Sequence, residues 1–125
     1  MGESFALSQE FRFEAAHRLP NVPAEHKCAR LHGHSFKVTV WVEGPLEPRL
    51  GWVMDYAQIR EVVAPLLERT LDHRYLNDIP GLENPTSEHL ARFLWLAIAP
   101  RLPGLAQIDV AETCQTSCRY RGAVR

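Results

Sequence analysis

Alternation opens the chain. Phe5, Leu7, Gln9, Phe11, Phe13 and Ala15 share one face of an extended segment, and that face reaches His17 if the strand stays extended. A second run places Phe36, Val38, Val40 and Val42 on one face, and stepping back by twos brings His34 and His32 onto it. GPLEPRLG is a turn-rich connection, and GWVM reads as a short returning strand. Asp55 has the place of a helix N-cap with Gln58 at the capping-box position, followed by Ile59, Val62, Val63, Leu66 and Leu67 at helical spacing. Pro65 predicts a kink in that helix, because proline lacks the backbone donor and crowds the carbonyl of Glu61. After LNDIPGLENP, Thr86 or Ser87 caps a second helix that turns Leu90, Phe93, Leu94 and Ala97 inward and stops at Pro100. A strand from 107 to about 113 puts Ile108, Val110 and Glu112 on one face, and a short strand follows near 119–122.

The order ββααββ predicts an α+β fold: a four-stranded antiparallel sheet with both helices on one face, in a single domain spanning residues 1–125. Such a sheet leaves two exposed edges, which invite pairing with another subunit, so a homo-oligomer is expected.

Composition narrows the function classes. Hydrophobic residues at 46% and charged residues at 23% support an ordinary packed core. A net charge of −1 argues against a nucleic-acid partner held through phosphate contacts. No apolar stretch approaches the ~20 residues that span a bilayer, and MGESFALSQEF has neither a basic start nor an apolar run, so the expected location is cytoplasmic, with no membrane. In a reducing compartment the three cysteines are expected as free thiols, although Cys114 and Cys118 are close enough in sequence for a local disulfide. No C-x-x-C occurs, which excludes a cysteine-based zinc ribbon.

The chemistry concentrates in CARLHGHSF. In H-x-H on a strand the two imidazoles point the same way and can converge on one metal, as tetrahedral zinc requires. His17, at the end of the neighbouring strand, supplies a third nitrogen; three histidines leave the fourth position to water or substrate, the pattern of a catalytic zinc site. The plain reading is a hydrogen-bonded or surface pair. His26, in a polar loop, and His89, in the first turn of a helix, lie off the shared face and read as structural or solvated.

Three further positions carry two readings each. Cys28 is either a small buried hydrophobe or a thiol activated beside the metal site. Asp72–His73 is either a polar pair closing a helix or a proton-transfer pair; adjacent residues do not normally face each other, so it is not expected to be a self-contained dyad. Glu112 lies on an inward face, where a carboxylate needs a partner to offset desolvation: a ligand with paired N–H donors, or one of the nearby arginines.

Taken in order, FEAAHRLP, C-x-x-x-HGHSF, LDHRYLND, NPTSEHLA and ETC resemble the 6-pyruvoyl-tetrahydropterin and 6-carboxy-tetrahydropterin synthase family, over Phe11 to Gly122. The resemblance implies the tunnelling fold (T-fold), in which subunits join their sheets into a barrel, usually as a hexamer made of a dimer of trimers. It implies zinc ligands at His17, His32 and His34, a catalytic thiol at Cys28, and a catalytic pair at Asp72 and His73 that reaches Cys28 from a neighbouring chain. It also implies a pterin-anchoring carboxylate at Glu112, with Thr86 and Ser87 in the pterin pocket. The short C-x3-HGH spacing is similar to the queuosine-biosynthesis branch, which converts 7,8-dihydroneopterin triphosphate to 6-carboxy-tetrahydropterin, acetaldehyde and triphosphate. Two rivals remain at this point: the sister 6-pyruvoyl reaction, which eliminates triphosphate without carbon–carbon cleavage, and a non-catalytic zinc- or pterin-binding oligomer.

Overall fold

The computed structural model describes residues 2–123. Its first two strands, β1 (Phe5–His17) and β2 (His32–Gly44), form an antiparallel hairpin whose register runs from Phe5 opposite Gly44 to His17 opposite His32. The alternation explains this pairing. One face is the buried row Phe11, Phe13, Phe36, Val38, Val40 and Val42, and a one-residue slip would turn that row to water. Phe13 and Phe36 face each other across the ladder with rings stacked 4.9 Å apart. Truncating either ring would cost about 3–5 kcal/mol.

The remaining elements are α1 (Tyr56–Thr70), β3 (Arg74–Tyr75), α2 (Ser87–Ile98), β4 (Leu105–Ala111) and β5 (Cys118–Tyr120), with short 3-10 turns at Lys27–Ala29, Leu76–Asp78 and Ala99–Arg101. Asp55 and Gln58 form the expected capping box, and α1 runs through Pro65 to Thr70, burying Ile59, Val63 and Leu67. Thr86 is the N-cap of α2, its hydroxyl accepting from the His89 N–H. The buried stripe of α2 is Leu90, Ala91, Leu94 and Ile98, so Phe93 and Ala97 sit at its half-buried margins. Both stripes join the same core as the apolar face of β1, β2 and β4, which places both helices on one side of the sheet.

The sheet corrects the expected topology. It has five strands in the order β3-β1-β2-β4-β5 and is mixed, since β3 runs parallel to β1 while the other pairs are antiparallel. The chain order is therefore ββαβαββ, not ββααββ. The extra strand arises because the chain leaving α1 is tied to Glu14: the Asp72 carboxylate accepts from the Glu14 N–H at 2.9 Å, and the Glu14 carbonyl accepts from the His73 N–H. Arg74 and Tyr75 then fall beside Ala15 and Ala16. Two residues are too few to show an alternation.

GWVM is not a strand either. It forms bends around Gly51, whose φ of 77° suits glycine, and the Trp52 carbonyl accepts from the Glu47 N–H. β4 ends at Ala111, so Glu112 stands just beyond it, and β5 starts one residue earlier and ends sooner than the sequence suggests. No helix among the described residues is long and apolar enough to cross a membrane.

Candidate active site

The β1–β2 register alone assembles the histidines. His17 is directly opposite His32, and His34 follows on the same face. Ring centroids lie 4.6 Å (His17–His32), 5.2 Å (His17–His34) and 4.9 Å (His32–His34) apart. One ligand nitrogen from each falls within 4.8 Å of the others. Phe36 supports the cluster from beneath, edge-on to His17 at 5.5 Å and to His34 at 5.4 Å. The aromatic layer of the core is thus the floor of the site.

Backbone carbonyls set the tautomers. His17 Nδ1 lies 2.8 Å from the Pro85 carbonyl, and His32 Nδ1 lies 2.7 Å from the Arg30 carbonyl. A carbonyl only accepts, so both Nδ1 atoms carry the proton and both Nε2 atoms present lone pairs. Burial pushes the His17 imidazole below its usual value, against the raising effects of the Pro85 carbonyl and the Glu112 charge. The ring is therefore neutral at physiological pH.

His17 Nε2 is a buried lone pair without a hydrogen-bond partner among the described residues. It faces Glu112 Oε1 at 3.8 Å, and Glu112 Oε2 is 3.8 Å from His34 Nε2. An imidazole lone pair facing a carboxylate has no hydrogen between the two acceptors, an arrangement relieved by a cation or by donor-rich ligand atoms. Three imidazoles with two oriented by carbonyls fit a zinc ion, whose fourth position would stay open.

Glu112 faces histidines rather than an arginine, because the nearby guanidinium groups are engaged. Arg119 Nε donates to Asp109 at 3.1 Å and Arg121 Nε donates to Gln107 at 2.9 Å. The carboxylate also lines a cavity of about 180 Å³ with Ser87, Glu88, Val110, Thr116, Ser117 and Cys118. Of the two candidate pocket residues, Ser87 lies in this wall, while the Thr86 hydroxyl caps α2.

Cys28 lies in the Lys27–Ala29 turn and is not one of the converging ligand residues. Its N–H donates to His26 Nδ1 and its carbonyl accepts from the Leu19 N–H, which leaves the thiol partly exposed. Asp72 and His73 lie at the β3 edge, where His73 and His34 border one open groove of about 580 Å³. The expectation that these adjacent residues do not face each other is corrected: His73 Nδ1 lies 3.0 Å from Asp72 Oδ2. The cause is local. His73 has φ of 59°, the only positive φ of a non-glycine among the described residues, and this left-handed turn folds the ring back onto its neighbour. Within one chain, Cys28 makes no side-chain contact with that pair among the hydrogen bonds of the described residues.

His26 and His89 are structural, as their positions suggest, since His89 Nδ1 bonds the Asn84 carbonyl at 2.6 Å. The Pro85 and Arg30 carbonyls are the functional groups that sequence reading misses. A backbone oxygen leaves no side-chain signal.

A hairpin ending in three convergent histidines, with a carboxylate and a small cavity at its open side, defines an α+β domain built around a candidate metal and heterocycle site. The chain belongs to the 6-pyruvoyl tetrahydropterin synthase family, whose sequence profile matches residues 6–123. It is 44% identical over 119 residues to a 6-carboxy-5,6,7,8-tetrahydropterin synthase of a Synechocystis species, covering 91% of each chain. It is 30% identical over 131 residues to the human 6-pyruvoyl tetrahydrobiopterin synthase, covering 93% of this chain and 90% of the human one. The solved structure of Caenorhabditis elegans 6-pyruvoyl tetrahydropterin synthase superposes with a TM-score of 0.88 at 26% identity, covering 98% of both chains.

Proposed function

We propose that this protein is a zinc-dependent 6-carboxy-5,6,7,8-tetrahydropterin synthase of queuosine biosynthesis. It takes 7,8-dihydroneopterin triphosphate and one water to 6-carboxy-tetrahydropterin, acetaldehyde and triphosphate. The observation that carries the reading is the buried, unpartnered His17 Nε2 within the histidine triad, facing Glu112. The 44% identity to a relative of that name favours this reaction over the sister one.

His17, His32 and His34 are the residues that would hold the zinc, His17 and His32 through the Nε2 atoms left free by their carbonyl-bound Nδ1. Bound there, a zinc ion would supply a Lewis acid for the substrate side-chain oxygens and their hydroxyls. Glu112 accepts the 2-amino and N3 hydrogens of the pterin in a bidentate contact, which fixes the ring in its cavity beside Ser87, with Thr86 holding that helix end in place. Cys28 takes and returns protons on the side-chain carbons through its sulfur. His73 exchanges protons with it, and Asp72, 3.0 Å from His73 Nδ1, orients the imidazole.

Cys28 shares no hydrogen bond with Asp72 or His73 among the described residues, and we assign their meeting in the complete site to an interface between subunits. β1 from Phe5 to Phe13 pairs with β2 on one side and leaves its other backbone edge open, which supports sheet joining between subunits. We assign the assembly as a homo-oligomer, a hexamer built as a dimer of trimers, acting in the cytoplasm.

The second reading is 6-pyruvoyl-tetrahydropterin synthesis on the same site, favoured by the name of the Caenorhabditis elegans protein whose fold matches so fully. Turnover by the zinc-loaded protein tests the assignment of the base. In Cys28→Ala it falls by orders of magnitude with zinc and pterin binding intact, and normal turnover in that variant would remove the thiol from the mechanism.

A further inference from the structure

The proposed chemistry leaves Cys118 without a role, yet the fold puts it in the cavity of Glu112. Cys118 is opposite Val110 in the β4–β5 ladder, so the two side chains stand side by side on one sheet face. Glu112 follows Val110 by two positions and rises from that face at the end of the strand. The cavity is therefore lined by Val110 and Cys118 from the sheet together with Glu112, Ser87, Thr116 and Ser117.

Two features describe what fits. At about 180 Å³ the cavity is below the ~300 Å³ where sites for drug-sized ligands begin, a size suited to a single ring system. Among the described residues its lining includes Glu112 and Glu88 and no basic side chain, which suits an N–H-rich heterocycle and repels phosphate.

We propose that Cys118 is a specificity-determining contact of this site: its sulfur forms the floor against which the ring anchored by Glu112 lies, and its size limits what the cavity admits. The inference rests on the pterin-anchor reading of Glu112 and adds to it the surface beneath the ring. A neutral sulfur suits the position, being polarizable against an aromatic face. Burial, with the charges of Glu88 and Asp109, pushes the Cys118 thiol up, which keeps a third negative charge out of the cavity. Cys114, exposed in the same loop, lines a different cavity and serves as the internal control.

The test uses the full-length zinc-loaded protein with 7,8-dihydroneopterin as probe. Iodoacetamide labelling of Cys118 and Cys114 is followed by peptide mass spectrometry, with binding measured in parallel by pterin fluorescence. Saturating probe is expected to slow Cys118 labelling by about tenfold or more, to leave Cys114 unchanged, and to lose its protective effect in Glu112→Ala. Cys118→Leu covers the case of a thiol too unreactive to label. Its larger side chain fills the floor and is expected to raise the probe Kd about tenfold or more with zinc content unchanged. Binding that depends on Glu112 but neither protects Cys118 nor responds to Cys118→Leu overturns this inference alone. Absence of binding, or binding indifferent to Glu112, overturns the anchor reading and this inference together.

Discussion

The His17 ring is held by the Pro85 carbonyl, 2.8 Å from Nδ1, across 68 positions of sequence. The same short segment caps α2 through Thr86, which ties the orientation of a candidate metal ligand to the start of a helix. That helix start also contributes Ser87 to the cavity beside Glu112. One loop therefore aligns the metal side and the heterocycle side of the site.

Zinc content follows from the triad. His32→Ala is expected to drop bound zinc from about one per chain to a small fraction, while His26→Ala retains it. A zinc ion held by the triad would bind only the folded state, so metal removal is expected to lower Tm; a ligand at 100 times its Kd contributes about 2.7 kcal/mol. Elemental analysis and thermal melts check both, and full occupancy in His32→Ala would refute the ligand set.

The left-handed residue at the end of α1 sets function against stability. A non-glycine there costs on the order of 1 kcal/mol, and the exposed contact with Asp72 returns little of it. His73→Gly is expected to raise unfolding stability in urea by about 0.5–1 kcal/mol while turnover collapses. A clear loss of stability would show that the histidine side chain, not the turn, holds this segment.

Asp72 gives a pH signature. The Glu14 N–H first, and then His73, hold its carboxyl below the usual 3.8. With the folded value below the unfolded one, its contribution to stability is complete above pH 3.8 and is lost as the pH falls through the folded value. Asp72→Asn keeps an acceptor for Glu14 but removes the titration. The stability difference between wild type and variant should be constant near neutrality and shrink in acid, and a gap independent of pH would contradict the assignment.

Glu112 is expected to matter for affinity more than for folding. Losing a bidentate, charge-assisted contact of about 2–4 kcal/mol raises the pterin Kd roughly 30- to 1,000-fold in Glu112→Ala. Fluorescence titration measures it directly, and an unchanged Kd would return the carboxylate to a purely structural place beside the histidines.

How far the sequence foretold this site depends on the range of each signal. Strand alternation runs through Phe13 to His17 and from Phe36 back to His32, so the triad is visible in a period of two. The cap of α1 is visible for the same local reason. β3 is not, since its place depends on the distant Glu14 and not on its own pattern. The contact between Asp72 and His73 contradicts the usual rule for neighbours because one backbone angle changes hand without a glycine to announce it. Glu112 has arginines near it in sequence, yet Asp109 and Gln107 take them, and only the folded sheet decides that competition.

Product identity tests the central claim most directly. Zinc-loaded protein is incubated with 7,8-dihydroneopterin triphosphate, and the pterin, acetaldehyde and triphosphate are quantified. The account predicts 6-carboxy-tetrahydropterin and acetaldehyde in equal amounts with triphosphate. Triphosphate release with a 6-pyruvoyl product and no acetaldehyde would contradict it and assign the sister reaction to the same site.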